Sequence, residues 1–229
     1  MPERKQEHIQ QQMIRVTTED GHIFDAFRAT PDHPKGGLVI LQEIFGMTEQ
    51  LKSVTRTWAA FGYDTILPAM YDRIKPGSVV SFDDMETAQQ MMKQFEPDCV
   101  LKDIRAAAAT VNGANGVSLI GFCWGGGTAA RMASELDLKG IVSYYGTMLA
   151  ANTANGANCA TLFHFGKNDQ HSPPEVIDEV KQNFPDAECH VYDSGHAFAN
   201  DARSDFYDED AARLARERSL EFLNRVHSA

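Results

Sequence analysis

Several features are scarce in this sequence, and each scarcity removes a class of function. The 229 residues contain four cysteines, Cys99, Cys123, Cys159 and Cys189, the nearest two of them 24 positions apart. With no Cys-x-x-Cys pair, neither a zinc site nor a small disulfide framework fits, and no metal is expected. Basic residues are outnumbered, 21 Lys and Arg against 32 Asp and Glu, for a formal net charge of −11. That balance argues against nucleic acid as a partner and for simple solubility. No apolar run approaches the roughly 20 residues that span a bilayer. The opening stretch, Met1 to Gln12, carries charges of both signs and no apolar centre, so it reads as neither signal peptide nor membrane anchor. A cytoplasmic protein without a membrane partner is expected. No Pro/Gly/Ser-rich linker and no internal repeat divides the chain, which predicts a single domain over residues 1–229 and, as the working expectation, a monomer.

What is present is an alternation of short apolar runs with helical periodicity. Met13 to Val16 and His22 to Phe27 flank Asp20-Gly21 and read as an edge hairpin. Gly37 to Leu41 is a continuous apolar run, as expected of a strand covered on both faces. Thr48 to Phe61 reads as a helix and Tyr63 to Pro68 as a strand, followed by an irregular segment, Ala69 to Ser81. Helical patterns cover Ser81 to Phe95 and Pro97 to Asn112. Val117 to Ile120, Lys139 to Tyr145, Ala160 to Phe165 and Ala187 to Tyr192 complete the strands. Helices are expected from Thr128 to Leu136, Pro173 to Phe184 and Tyr207 to Val226, and Asn152 to Asn158 reads as a polar loop. This order predicts an α/β fold, a mostly parallel central sheet with helices on both faces.

In such sheets the working groups collect at the carboxyl ends of the strands. Glu43, Cys123, Asp169 and His196 each lie just past a predicted strand end. Cys123 sits at the centre of Gly121-Phe122-Cys123-Trp124-Gly125, between strand and helix, where a nucleophile elbow places its reactive residue. Alone, Gly-x-Cys-x-Gly is weak, because free cysteine is most often a small core residue. The glycines belong to no phosphate loop: the Lys-Ser/Thr of a Walker motif and the Gly-x-Gly-x-x-Gly spacing are both missing.

A thiol that attacks an ester carbonyl needs a histidine to manage the proton and an acid to fix that histidine's tautomer. Cys123, Asp169 and His196 follow the chain order nucleophile, acid, histidine. The oxyanion hole is expected from the backbone N–H groups of Trp124 and Ile44. Each assignment has a rival: Asp169 as a helix cap, and His164, His171 or His190 in place of His196.

Gln42-Glu43-Ile44-Phe45-Gly46, Tyr71-Asp72-Arg73, Gly121 to Gly126, Gly166-Lys167-Asn168-Asp169 and Gly195-His196-Ala197-Phe198 together resemble the dienelactone hydrolase family of carboxymethylenebutenolidases, with the α/β-hydrolase fold. The resemblance implies cysteine-dependent hydrolysis of a carboxylate-bearing enol-lactone through a thioester, with no metal or organic cofactor. It implies that Glu43 helps turn the thiol into thiolate, that Arg73 holds the substrate carboxylate, and that Tyr145 and Trp124 line the pocket. Alternatives are an esterase or thioesterase of the same family and a non-catalytic, redox-responsive binding protein. The sequence departs from the family pattern at Ala197 and Asn200, where a serine and a second carboxylate-binding arginine are usual; Arg203 is the substitute on offer.

Overall fold

The computed structural model describes residues 8–111 and 113–228, so the first seven residues of the polar opening stretch, Asn112 and Ala229 lie outside it. The strands are β1 (Ile9–Thr17), β2 (Ile23–Pro31), β3 (Gly37–Leu41), β4 (Asp64–Pro68), β5 (Val117–Phe122), β6 (Gly140–Tyr144), β7 (Ala160–Gly166) and β8 (Glu188–Tyr192). The helices are α1 (Glu49–Ala60), α2 (Met85–Met92), α3 (Pro97–Thr110), α4 (Trp124–Glu135), α5 (Leu149–Thr153), α6 (Pro174–Asn183) and α7 (Glu209–His227), with a 3-10 turn at Met70–Arg73.

All eight strands form one sheet in the order β1-β2-β4-β3-β5-β6-β7-β8. The hairpin β1–β2 and the β2–β4 pair are antiparallel, and every pairing from β4 to β8 is parallel. In β3, β4 and β6 every residue is buried, and β3 reads accordingly as an unbroken apolar run, while β4 and β6 also bury the polar side chains of Asp64, Thr65 and Ser143. Alternate strand residues feed two apolar layers. Val39, Leu41, Leu119 and Ile141 meet α3, α4 and α6 on one face, while Leu38, Ile40, Ile120 and Val142 meet α1 and α7 on the other. This is the layered α/β-hydrolase architecture. Parallel strands joined by helices leave their carboxyl ends along one edge, and the loops there carry Glu43, Cys123, Asp169 and His196.

Three local readings differ from the pattern in the sequence. The hairpin strands are longer than expected, because β1 takes its ladder from β2 even where Gln10, Gln11 and Gln12 offer no apolar face. The 81–95 helix shortens to α2, which starts where the Asp84 side chain accepts the Thr87 N–H at 3.1 Å. The polar 152–158 stretch is partly helical, in α5. No described helix is long and apolar enough to cross a membrane.

Candidate active site

β5 ends at Phe122 and α4 begins at Trp124, so Cys123 alone makes the turn between them. Its backbone lies at φ 55°, ψ −118°, a region that costs any residue with a side chain. The flanking glycines serve close approach. A Cβ on Gly121 would stand 1.9 Å from the Gly125 carbonyl oxygen, and one on Gly125 would stand 2.4 Å from that of Leu41. Hydrogen bonds hold the turn: the Cys123 N–H donates to Tyr144 O at 3.0 Å, and the Gly126 and Thr147 N–H groups donate to Cys123 O at 3.0 and 3.1 Å.

His196, on the loop after β8, brings Nδ1 within 2.8 Å of Asp169 Oδ2. The other carboxylate oxygen of Asp169 accepts the His171 N–H at 2.8 Å, so this buried acid is engaged on both sides. It does not cap α6, whose N-cap is Pro173. His196 and Cys123 line the same cavity, close enough for each to feel the other's charge. Burial works against the charged ring, but Asp169 and Cys123 outweigh it and raise the His196 pKa to about 10. The rival His164 lies inside β7, its two nitrogens each 2.9 Å from the hydroxyl oxygens of Tyr192 and Ser219. His190 lies in β8 against it. His171 stands at the site itself, its ring centroid 4.8 Å from that of His196. Asp169, His171 and His196 place three potential metal donors within 4.8 Å of one another, two of them already joined in the Asp169–His196 hydrogen bond.

Glu43 is buried, and its Oε2 accepts a 2.7 Å hydrogen bond from Asn200 Nδ2. Burial pushes its pKa up, against the opposing pull of His196, Asn200 and Arg203. The Tyr145 phenol lies beside this carboxyl, and its ring packs edge-on against His196 with centroids 5.3 Å apart. The Ile44 N–H has no acceptor among the described residues. The Trp124 N–H opens a helix, where amides have no partner within the helix.

Cys123, His196 and Glu43 open on a cavity of about 380 Å³. Its wall includes Ile44, Met85, Met92, Met148, Phe206 and Arg203. The Arg203 guanidinium lies over three rings, 4.1 Å from the centroid of Phe206, 5.3 Å from Phe45 and 6.0 Å from Phe82, and makes no ion pair among the described residues. Arg73 is elsewhere, which corrects the expectation that it holds a substrate carboxylate. Its Nε donates to both oxygens of Asp103 at 3.0 and 2.9 Å, and its Nη2 donates to Asp20 at 3.1 Å. It borders a separate cavity with His22 and Cys99. Tyr145 and the Trp124 ring likewise stay out of the Cys123 cavity: Tyr145 packs behind Glu43 and His196, and Trp124 stacks on Phe95 at 4.3 Å.

A family model described as the dienelactone hydrolase family matches residues 24–227. The chain belongs to this family. It is 31% identical over 229 residues to a carboxymethylenebutenolidase of Pseudomonas putida, covering 94% of this chain and 97% of that one. It is 29% identical to another from Pseudomonas sp. strain P51, covering 93% and 94%. A crystal structure from Klebsiella pneumoniae with a provisional dienelactone hydrolase assignment superposes with a TM-score of 0.84 at 25% identity, covering 94% of this chain and 98% of that one. A dienelactone hydrolase-like promiscuous phosphotriesterase from metagenomic libraries shares the fold, with a TM-score of 0.77 at 18% identity, covering 95% and 98%. The protein is therefore a hydrolase of the dienelactone hydrolase family. Within it, Asn200 occupies the position beside Glu43, and Arg203 and Lys93 are cations on the cavity wall. The methionines of that wall carried a faint sequence signal: Met85 and Met92 are seven apart, on one face of a helix.

Proposed function

We propose that this enzyme hydrolyses a carboxylate-bearing ester or enol-lactone with Cys123 as nucleophile and a thioester as intermediate. The observation that carries the reading is the 2.8 Å hydrogen bond between Asp169 and His196, with Cys123 and His196 lining the same cavity. A protonated His196 favours the thiolate of Cys123. The thiolate sulfur adds to the carbonyl carbon, and the charge on its oxygen meets the N–H groups of Ile44 and Trp124. Collapse breaks the acyl C–O bond, and the leaving enolate or alkoxide takes the proton from His196. His196, now neutral, accepts a proton from water as the hydroxide adds to the thioester carbonyl. The C–S bond then breaks, returning thiolate and imidazolium and releasing the acid.

Glu43, buried and favoured in its neutral form, adjusts the proton balance beside the thiol, and Asn200 holds its orientation through Oε2. Arg203 takes the role expected of Arg73 and receives the substrate carboxylate, for which a guanidinium offers paired donors. An esterase or thioesterase on another small acid is the second reading, and the predominantly apolar cavity wall favours it.

Steady-state hydrolysis of a dienelactone and of a simple aryl ester, by wild type and Cys123→Ala, tests both readings. We expect at least a 10³-fold loss of kcat/KM in the variant, of the size that removing a nucleophile produces. A rate within a few-fold of wild type would exclude Cys123 as the nucleophile. Cysteine-dependent turnover of the aryl ester alone would select the second reading.

A further inference from the structure

A second cavity of about 270 Å³ adjoins the first, between the end of α2 and the start of α4. Met92, Lys93 and Met148 line both, so the two chambers share one wall of flexible side chains. The far chamber is bounded by a stack of rings, Tyr71 on Phe95 at 5.1 Å and Phe95 on Trp124 at 4.3 Å, the last of these adjacent in sequence to Cys123. Phe95 and Trp124 themselves face into it. Methionine, unbranched and polarizable, moulds itself to varied apolar shapes and yields without a large cost.

Two independent observations mark this path as built for a ligand. Among the described large apolar residues that stand in solvent, Met85 (38% exposed), Met148 (60%) and Phe206 (47%) all lie on the wall of the Cys123 cavity. Apolar surface gathered at one mouth marks a binding site. Met148 is moreover held at φ 56°, ψ 28°, a left-handed conformation that disfavours an unbranched side chain there and suits glycine. A bare five-membered lactone with its carboxylate on Arg203 leaves most of the combined space empty.

We propose that the two chambers form one substrate tunnel, and that the preferred substrate carries an apolar arm, the size of a medium alkyl chain or a second ring, running past Met92 and Met148 toward Phe95 and Trp124. This inference rests on Cys123 being the nucleophile and deepens that reading by naming the substrate class.

Two neutral ester series read the arm apart from the carboxylate: p-nitrophenyl esters of acids from acetate to decanoate, and n-alkyl acetates from ethyl to decyl. In one series or the other, kcat/KM is expected to rise with length by up to about fourfold per buried methylene until the far chamber is filled. Met92→Trp, which plugs the shared wall, should lower the ratio of long-chain to short-chain kcat/KM at least tenfold. Met148→Gly, which suits the left-handed backbone and so keeps the fold, should lower that ratio several-fold by removing the contact. No length dependence in either series, with the Cys123→Ala control inactive, would overturn the tunnel and leave the nucleophile standing. A length dependence untouched by both variants would overturn it as well. Hydrolysis indifferent to Cys123→Ala would overturn the tunnel together with the reading beneath it.

Discussion

Arg73 is paired with two acids, Asp103 and Asp20, whereas Arg203 makes no ion pair among the described residues, lies over aromatic faces and fronts the cavity that it shares with Glu43. The two arginines should therefore fail in different ways when removed. Arg203→Ala is expected to lower the ratio of kcat/KM on carboxylate-bearing over neutral esters by about 10- to 100-fold, the worth of a charged hydrogen bond. Arg73→Ala should leave that ratio alone and instead strand the carboxylate of Asp103, at a cost of about 3 kcal/mol. Kinetics on matched esters and urea unfolding separate the two; a selective loss in Arg73→Ala would return the carboxylate to the site first expected. At this scale the sequence was legible where backbone geometry dictates the residue. Gly121 and Gly125 stand out because no side chain fits between β5, α4 and the end of β3. Arg73 was misread because its partners lie 30 and 53 positions away, and nothing local records that pairing.

Loops at strand ends are precise only if something fixes them to the elements they leave, and for the His196 loop that anchor is the first turn of α7. Asp208 Oδ1 accepts the Ala211 N–H at 3.0 Å as N-cap, while Oδ2 accepts the Ser194 hydroxyl at 2.5 Å, two residues before His196. The Asp208 N–H donates in turn to Phe198 O at 2.9 Å. One residue thus starts a helix and restrains both sides of the His196 loop, through its carboxylate at Ser194 and its backbone at Phe198. Asp208→Ala is expected to cost about 1–2 kcal/mol and to lower kcat several-fold with KM nearly constant, because the imidazole is less well aimed. Asp208→Asn, whose Oδ1 still caps the helix and whose Nδ2 can donate to a reoriented Ser194 hydroxyl, should recover most of both in thermal melts and steady-state rates. Equal kcat in all three proteins would show that the loop holds itself. The elements most visible in the sequence were those buried on both faces, such as β3 and β6. Those set by a neighbour, like the polar half of β1, carried no pattern of their own.

Across the whole molecule, the sheet buries several histidines in opposite electrostatic settings, and their opposition shapes stability against pH. His164, fully buried and bonded to two hydroxyls, is held neutral with its pKa well below the ordinary 6.5, first by burial and then by His190 and Arg218. His190 and His227 are lowered in the same direction, again mainly by burial. A base depressed in the folded state gives stability that is complete above its unfolded pKa and lost as pH falls below it. His196, raised to about 10, behaves in reverse: its contribution is complete below 6.5 and lost as pH climbs toward 10. Glu43, raised by burial, also loses stability with rising pH, starting from its ordinary 4.5. Below 6.5 the three lowered histidines, joined at lower pH by the lowered carboxyls of Asp20, Glu49, Asp84 and Asp208, oppose the raised carboxyls of Glu43 and Asp103, so destabilisation by acid should win. The unfolding free energy should peak near neutrality and decline on both sides, each proton contributing up to about 1.4 kcal/mol per pH unit. Urea unfolding from pH 5 to 9 measures this directly. His164→Gln should flatten the acid limb, and His196→Gln the alkaline limb, each leaving the other slope in place. Stability that only fell as pH rose would mean that the buried ring of His164 takes up its proton without cost, against its position between Tyr192 and Ser219, and stability that only rose would remove the alkaline role given to His196.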